Sequence, residues 1–196
     1  MNENRILALI ALLAALLLGA CSGQKAAPPL EGAAIGGPFT LTSHEGRPVS
    51  NSDFDGRYRL VYFGYSYCPD VCPVDLQQLM QGLRLFERRQ ADRAARVQPL
   101  FISIDPERDT PAVLTDYVAA FHPRLIGLTG TAAQIKDVAK RYGVYFARAG
   151  EPGAEDYLMD HSRAAMLFGP QGEPIAVVPH DQGADAVAAE LARWVK

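Results

Sequence analysis

The chain has 196 residues, 48% of them hydrophobic and 21% charged, with a formal net charge of −3. These values suit one compact globular domain and exclude a disordered chain, a coiled coil or collagen. Lys and Arg are scattered rather than concentrated, so no nucleic acid is expected as a partner, and three cysteines are too few for a disulfide scaffold.

Residues 1–20 read as an address rather than as part of the fold. Arg5 and the amino terminus supply a weakly positive start, and an apolar run from Ile6 to Leu18 follows. That run is short for a membrane span, which needs about 20 residues, and it suits the apolar region of a secretory signal. Leu18-Gly19-Ala20-Cys21 resembles the bacterial lipobox, in which the cysteine receives a lipid and becomes the mature N-terminus. A plain signal peptide with an incidental cysteine, or an uncleaved anchor, are the competing readings. Lipid on Cys21 holds a protein on a membrane surface without spanning it. The expected location is therefore the extracytoplasmic, periplasmic face of a bacterial membrane, and only Cys68 and Cys72 remain for chemistry. Residues 21–37 are small, carry two prolines and show no periodic apolar face, so they read as a flexible tether. The domain is expected to span 38–196.

Phe39 to Val49 alternates around the turn His44-Glu-Gly-Arg47 and reads as an entry hairpin. Arg59 to Gly64 is a buried strand, and Val74 to Arg89 carries Leu76, Leu79, Met80, Leu83 and Phe86 at helical spacing. Val97 to Ile104 is a second buried strand. Thr110-Pro111 opens a helix that runs to about Phe121, and Ala132 to Tyr142 forms another, closed by Gly143. A third strand begins at Val144, before a polar loop from Arg148 to Asp156. Ala164–Phe168 and Pro174–Val178 flank Gly169-Pro-Gln-Gly172 as a hairpin, and Asp185 to Val195 is the closing helix. A parallel β-α-β unit finished by an antiparallel hairpin and a helix describes an α/β, thioredoxin-like fold with an N-terminal β-hairpin extension.

Cys68-Pro-Asp-Val-Cys72-Pro73 directly follows a strand and precedes a helix. Pro73 cannot lie deep in a helix, so the helix starts near Cys72 and both sulfurs sit around its N-terminus. There the unsatisfied N–H groups favour thiolates, and both cysteines are expected to be usable near neutral pH. One helical turn puts their Cα atoms about 6 Å apart, within disulfide reach. The pair can therefore alternate between a disulfide and a two-thiolate clamp. Inert buried cysteines and a purely structural disulfide are the bland alternatives.

Candidate third ligands are His44, His122, His161 and His180. His44 and His122 read as surface residues and His180 is ambiguous. His161 lies where a polar loop enters a strand, across from the cysteine loop in a thioredoxin-like topology. Two thiolates and an imidazole with an open position suit copper, Cu(I) or Cu(II), better than structural zinc, which takes four protein ligands.

Four segments resemble the Sco/SenC family in order and spacing, from about Gly36 to the C-terminus. They are Gly64-Tyr-Ser-Tyr-Cys68-Pro-Asp-Val-Cys72-Pro73, Phe101-Ile-Ser-Ile-Asp105-Pro-Glu-Arg-Asp109-Thr-Pro111, Leu125-Ile-Gly-Leu-Thr-Gly130 and Asp156-Tyr-Leu-Met-Asp160-His161-Ser162. The resemblance implies a copper metallochaperone, not an enzyme, that assists assembly of cytochrome c oxidase. Its partners would be oxidase subunit II, at the CuA site, and another periplasmic copper chaperone. It implies Cys68, Cys72 and His161 as copper ligands and a copper-handling role for Asp105, whose bland reading is an Asp-Pro turn. Asp109 reads as part of a helix entrance. Many family members carry a transmembrane anchor, so the lipobox is a departure. The competing function is a thiol–disulfide oxidoreductase acting on the CuA cysteines or in extracytoplasmic redox signalling, through the same Cys68/Cys72 pair. A peroxiredoxin-like activity is not supported, because Tyr65-Ser66-Tyr67 lacks the expected Thr-containing loop.

Overall fold

The structure, a computed structural model, describes residues 26–150 and 157–196. The signal segment 1–20 and Cys21 lie outside the described residues, as does most of the polar loop before Asp156. Among the described residues no helix is long and apolar enough to cross a membrane.

The chain opens with β1 (Thr40–Ser43) and β2 (Pro48–Ser50), an antiparallel hairpin. A 3-10 turn leads to β3 (Tyr58–Gly64), then α1 (Val71–Arg89), a short α2 (Ala91–Ala94) and β4 (Val97–Ser103). Next come α3 (Pro111–Ala119), β5 (Ile126–Thr129), α4 (Ala132–Arg141), β6 (Phe146–Ala149) and β7 (Leu158–His161). The last elements are β8 (Ala165–Phe168), β9 (Pro174–Val178), a 3-10 turn at His180–Gln182 and α5 (Ala184–Trp194).

Seven strands form one sheet in the order β2-β1-β5-β4-β3-β8-β9. β3, β4 and β5 run parallel, with Tyr58 opposite Val97 and Gly64 opposite Ser103, while β8 adds antiparallel to β3 and β9 antiparallel to β8. Every residue of β3 and β4 is buried, as continuous apolar runs demand of strands covered on both faces. This is the expected mixed α/β, thioredoxin-like arrangement with its N-terminal hairpin. α1 and α5 pack closely enough that a Cβ on Gly82 would lie 2.4 Å from Val187.

The end signals operate as read. Thr110 Oγ1 accepts from the Val113 amide, and Thr131 and Gln134 form a reciprocal capping box. Gly143, with φ of +67°, follows the α4 C-cap.

Two strand assignments differ from the sequence reading. β5 was not expected, being four residues long and interrupted by Gly127. That glycine is required because an added Cβ would lie 2.9 Å from Val118. The strand expected from Val144 starts at Phe146 and does not join the main sheet; among the described residues it pairs only with β7, as a separate two-stranded ribbon. In the segment read as a tether, the Leu30 amide donates to Ile175 O (3.0 Å) and the Gly36 amide to Arg141 O (2.9 Å). From Leu30 onward the chain is tied to the domain.

Candidate metal centre

β3 ends at Gly64, and the following loop carries Cys68 before α1 begins at Val71. Pro73 occupies the third position of the helix, where its missing N–H costs nothing. Cys72 is fully buried beneath the end of β3, where an added Cβ on Gly64 would lie 3.2 Å from Cys72 Sγ, 3.0 Å from Tyr62 and 3.1 Å from Phe101. Cys68 is half-buried, both thiols are free, and the Cys72 amide points at Cys68 Sγ at 3.4 Å.

The loop itself is held by Asp109. This carboxylate is wholly buried and accepts from the Ser66 amide (3.1 Å), from Ser66 Oγ and from Ser103 Oγ (2.6 Å). Burial pushes its pKa up against the pull of those donors. The residue read only as a helix entrance therefore ties the cysteine loop to the end of β4. No local signal marked that role, because Ser66 and Asp109 meet only through the β3–β4 pairing.

His161 ends β7. Its Nδ1 lies 2.9 Å from the Ser162 carbonyl, which accepts the ring proton there and leaves the Nε2 lone pair facing Cys72 Sγ, 3.1 Å away. The Tyr65 ring stands edge-on to the imidazole at 6.0 Å between centroids, and its hydroxyl accepts from the Met159 amide (3.2 Å). The ligand atoms of Cys68, Cys72 and His161 all lie within 4.8 Å of one another, as the sequence reading expected of these three residues.

The two sulfurs are not equivalent, contrary to the expectation that both ionise easily. Burial, reinforced by the neighbouring Cys68, pushes the Cys72 thiol up to about 12. Burial also opposes ionisation of Cys68, but the Cys72 and Asp70 amides, with the Cys72 and Tyr65 side chains, outweigh it and hold that thiol below its ordinary value. Cys68 is the more accessible and more acidic sulfur, and Cys72 the inner one.

The other histidines are structural. His44 accepts from the Gly127 amide through Nδ1 (3.2 Å) and is half-buried. His122, expected at the surface, is buried, 3.4 Å from Glu87 and accepting from the Arg124 amide. His180 is buried, with Nε2 3.4 Å from Asp75.

The Asp105 carboxylate stands outside the three-atom cluster. It is buried and accepts from Tyr157 Oη (2.7 Å) and Arg108 Nε (2.5 Å). The Arg108 guanidinium lies over the Tyr157 ring at 3.6 Å and the Tyr67 ring at 4.9 Å. Asp105 thus secures the base of the histidine ribbon. Sequence reasoning passed over Asp75 altogether. It lies three residues after Cys72 on the same face of α1, is buried, and accepts from Tyr62 Oη (2.9 Å) and from Arg163.

Two soft sulfurs and one imidazole nitrogen, three donors rather than four, match copper better than a structural zinc site or a hard cation. Residues 27–196 match the SCO1/SenC family. The chain belongs to that family. It is 45% identical over 150 residues to Protein SCO2 homolog, mitochondrial, of Bos taurus, covering 76% of this chain and 56% of that protein. To Protein SCO1 homolog, mitochondrial, of Homo sapiens it is 40% identical over 162 residues, covering 83% and 53%. This SCO1/SenC chain therefore spans about half the length of the curated relatives it matches. Among solved structures, Bradyrhizobium japonicum ScoI with copper bound superposes with a TM-score of 0.74 at 38% identity, covering 82% of this chain and 99% of the other.

Proposed function

We propose that this SCO1/SenC protein is a copper metallochaperone. It takes up one copper ion, Cu(I) or Cu(II), on Cys68, Cys72 and His161 and passes it on during cytochrome c oxidase assembly. The observation that carries this reading is the convergence of two sulfurs and an Nε2 lone pair within 4.8 Å. Cys68, half-exposed, is the sulfur at which a partner's thiol enters by ligand exchange, and the inner Cys72 and His161 retain the ion until then. Asp105 takes part in copper handling by holding Tyr157 and Arg108 beside the histidine ribbon. The recipient is the CuA centre of oxidase subunit II, the donor another extracytoplasmic copper chaperone. The chain acts as a carrier with no turnover of its own. It works on the periplasmic face of a bacterial membrane, with residues 1–20 removed and lipid on Cys21.

Copper titration of the reduced full-length protein in detergent, followed by ultraviolet–visible absorption, tests the reading. One equivalent of Cu(II) with intense thiolate-to-copper bands, altered in His161→Ala, is expected. Oxidation of the thiols with no copper-specific band would overturn it.

The asymmetry of the sulfurs also favours a second reading, reduction of the target's CuA cysteines. The Cys68 thiolate attacks the target disulfide, releasing one target thiolate and forming a mixed disulfide. Cys72, as its proton leaves, then displaces the second target thiolate. The target gains two electrons from the pair and two protons, one that left Cys72 and one from the water that took the Cys68 proton, and Cys68–Cys72 becomes the disulfide. His161 is not needed for that exchange, so oxidase assembly surviving in His161→Ala selects this reading over copper delivery.

A further inference from the structure

The histidine reaches the sulfurs from outside the main sheet. Among the described residues β6 and β7 pair only with each other, so the placement of His161 depends on whatever ties this ribbon to the domain. Most of its anchors lead away from the cysteine helix. The Met159 amide reaches Tyr65 in the loop after β3, the Tyr157 carbonyl accepts from Arg108 after β4, and Arg148 pairs with Glu107 there as well. Ser162 exchanges two hydrogen bonds with Tyr145, next to the start of β6.

One anchor is of a different kind. Arg163, two residues beyond His161, sends Nε to Asp75 Oδ2 (2.9 Å) and Nη2 to Asp75 Oδ1 (2.6 Å). Asp75 stands on α1, one turn after Cys72, and its side chain is 3% exposed. Tyr62 Oη adds a third donor at 2.9 Å from the middle of the sheet. A paired guanidinium–carboxylate fork fixes direction as well as distance, unlike a single contact between mobile side chains. A surface ion pair contributes little, but here the carboxylate is buried and its other donor is fixed. The fork therefore links the helix that holds Cys72 to the short segment that follows His161.

We propose that the Asp75–Arg163 pair is the positioning device that sets the His161 imidazole against Cys72, and that it thereby decides whether copper is held by three ligands or by two. This rests on the copper reading above. Partners that orient a metal ligand, without touching the metal, typically change affinity by roughly 10–100-fold when removed. The effect falls on Cu(II), which draws on the imidazole, and largely spares Cu(I), which two thiolates retain.

The test compares the reduced full-length protein with Arg163→Met, Arg163→Lys, Asp75→Asn and Asp75→Asn/Arg163→Met. Arg163 is half-exposed, so Met at that position leaves the core intact. Arg163→Met is expected to bind Cu(II) at least about tenfold more weakly, with the imidazole nitrogen coupling lost or altered in its electron paramagnetic resonance spectrum. Cu(I) affinity should change little. Arg163→Lys should recover part of the coupling, and the double variant should be no weaker than the weaker single one, as for two halves of one interaction. Wild-type Cu(II) affinity and nitrogen coupling in Arg163→Met would overturn the proposal, and so would weaker binding with the coupling unchanged. Hydrogen exchange of the copper-free proteins separates this from failure of the copper reading. If the wild-type protein itself binds no copper through His161, the functional reading falls. The positioning claim is then judged on the Met159 and Ser162 amides. Exchange several-fold faster in Arg163→Met supports it, and unchanged exchange sinks it.

Discussion

The two halves of the metal centre are built by different means. The sulfur half grows out of the parallel β3-α1-β4 unit: Cys72 lies in the first turn of a 19-residue helix, packed under the end of a fully buried strand. The imidazole half rides on a four-residue strand whose backbone pairs only with β6, and side chains carry the rest of its attachment. A ligand set by backbone and core is coupled to global stability. One held by side-chain contacts is coupled to local opening. The two halves should therefore respond differently to mutation: chiefly in stability on the sulfur side, and chiefly in metal coordination on the histidine side.

The strongest challenge to that contrast is Asp109→Ala. It strands the buried donor Ser103 Oγ and the half-buried donors Ser66 N and Ser66 Oγ, and should cost about 3 kcal/mol, measured by urea denaturation, while displacing the cysteine loop. Gly64→Ala comes next. The new methyl crowds Cys72, Tyr62 and Phe101 and should cost about 1–3 kcal/mol, with the copper absorption bands shifted. On the other side, Tyr65→Phe removes the acceptor of the Met159 amide, together with a hydroxyl that also faces Cys68. A loss of about 1 kcal/mol is expected, together with a change in the imidazole coupling of bound Cu(II). Should Tyr65→Phe destabilise the fold as much as Gly64→Ala, the two halves are equally built in and the contrast fails.

The smallest effect is on pH dependence. Burial works against ionised Asp75, but Arg163, Tyr62 and His180 outweigh it and hold the carboxyl below its ordinary value. A depressed carboxyl contributes stability above its unfolded pKa of about 3.9 and loses that contribution as pH falls through the folded value. The stability gap between the protein and Asp75→Asn should therefore narrow below about pH 4. A gap that is constant from pH 6 to pH 3 would show that the ionised carboxylate adds nothing.

The same division explains what could be read from the residues alone. The sulfur half was legible because its signals are local: an apolar run, two cysteines, a proline that limits where the helix starts, then helical spacing through Leu76, Leu79 and Leu83. His161 stood out from the other histidines only through topology and family resemblance. Its supports were not legible. Asp75 and Arg163 are 88 residues apart, and an aspartate inside a helix ordinarily reads as a solvated face. Asp109 and Ser66 meet only once β3 and β4 are paired. The opposite acidity of the cysteines was also hidden, because helix-terminus reasoning treats both sulfurs alike whereas burial separates them.

The backbone bonds from Leu30 to Ile175 and from Gly36 to Arg141 carry a last consequence. They shorten the leash. With lipid on Cys21, as proposed, the lipid and the first backbone tie at Leu30 can stand no more than about 30 Å apart, at 3.3–3.6 Å per residue. A domain anchored so closely would stay in a thin layer against the membrane and meet a membrane-bound partner by diffusion in two dimensions, at a high effective concentration, rather than by searching a volume.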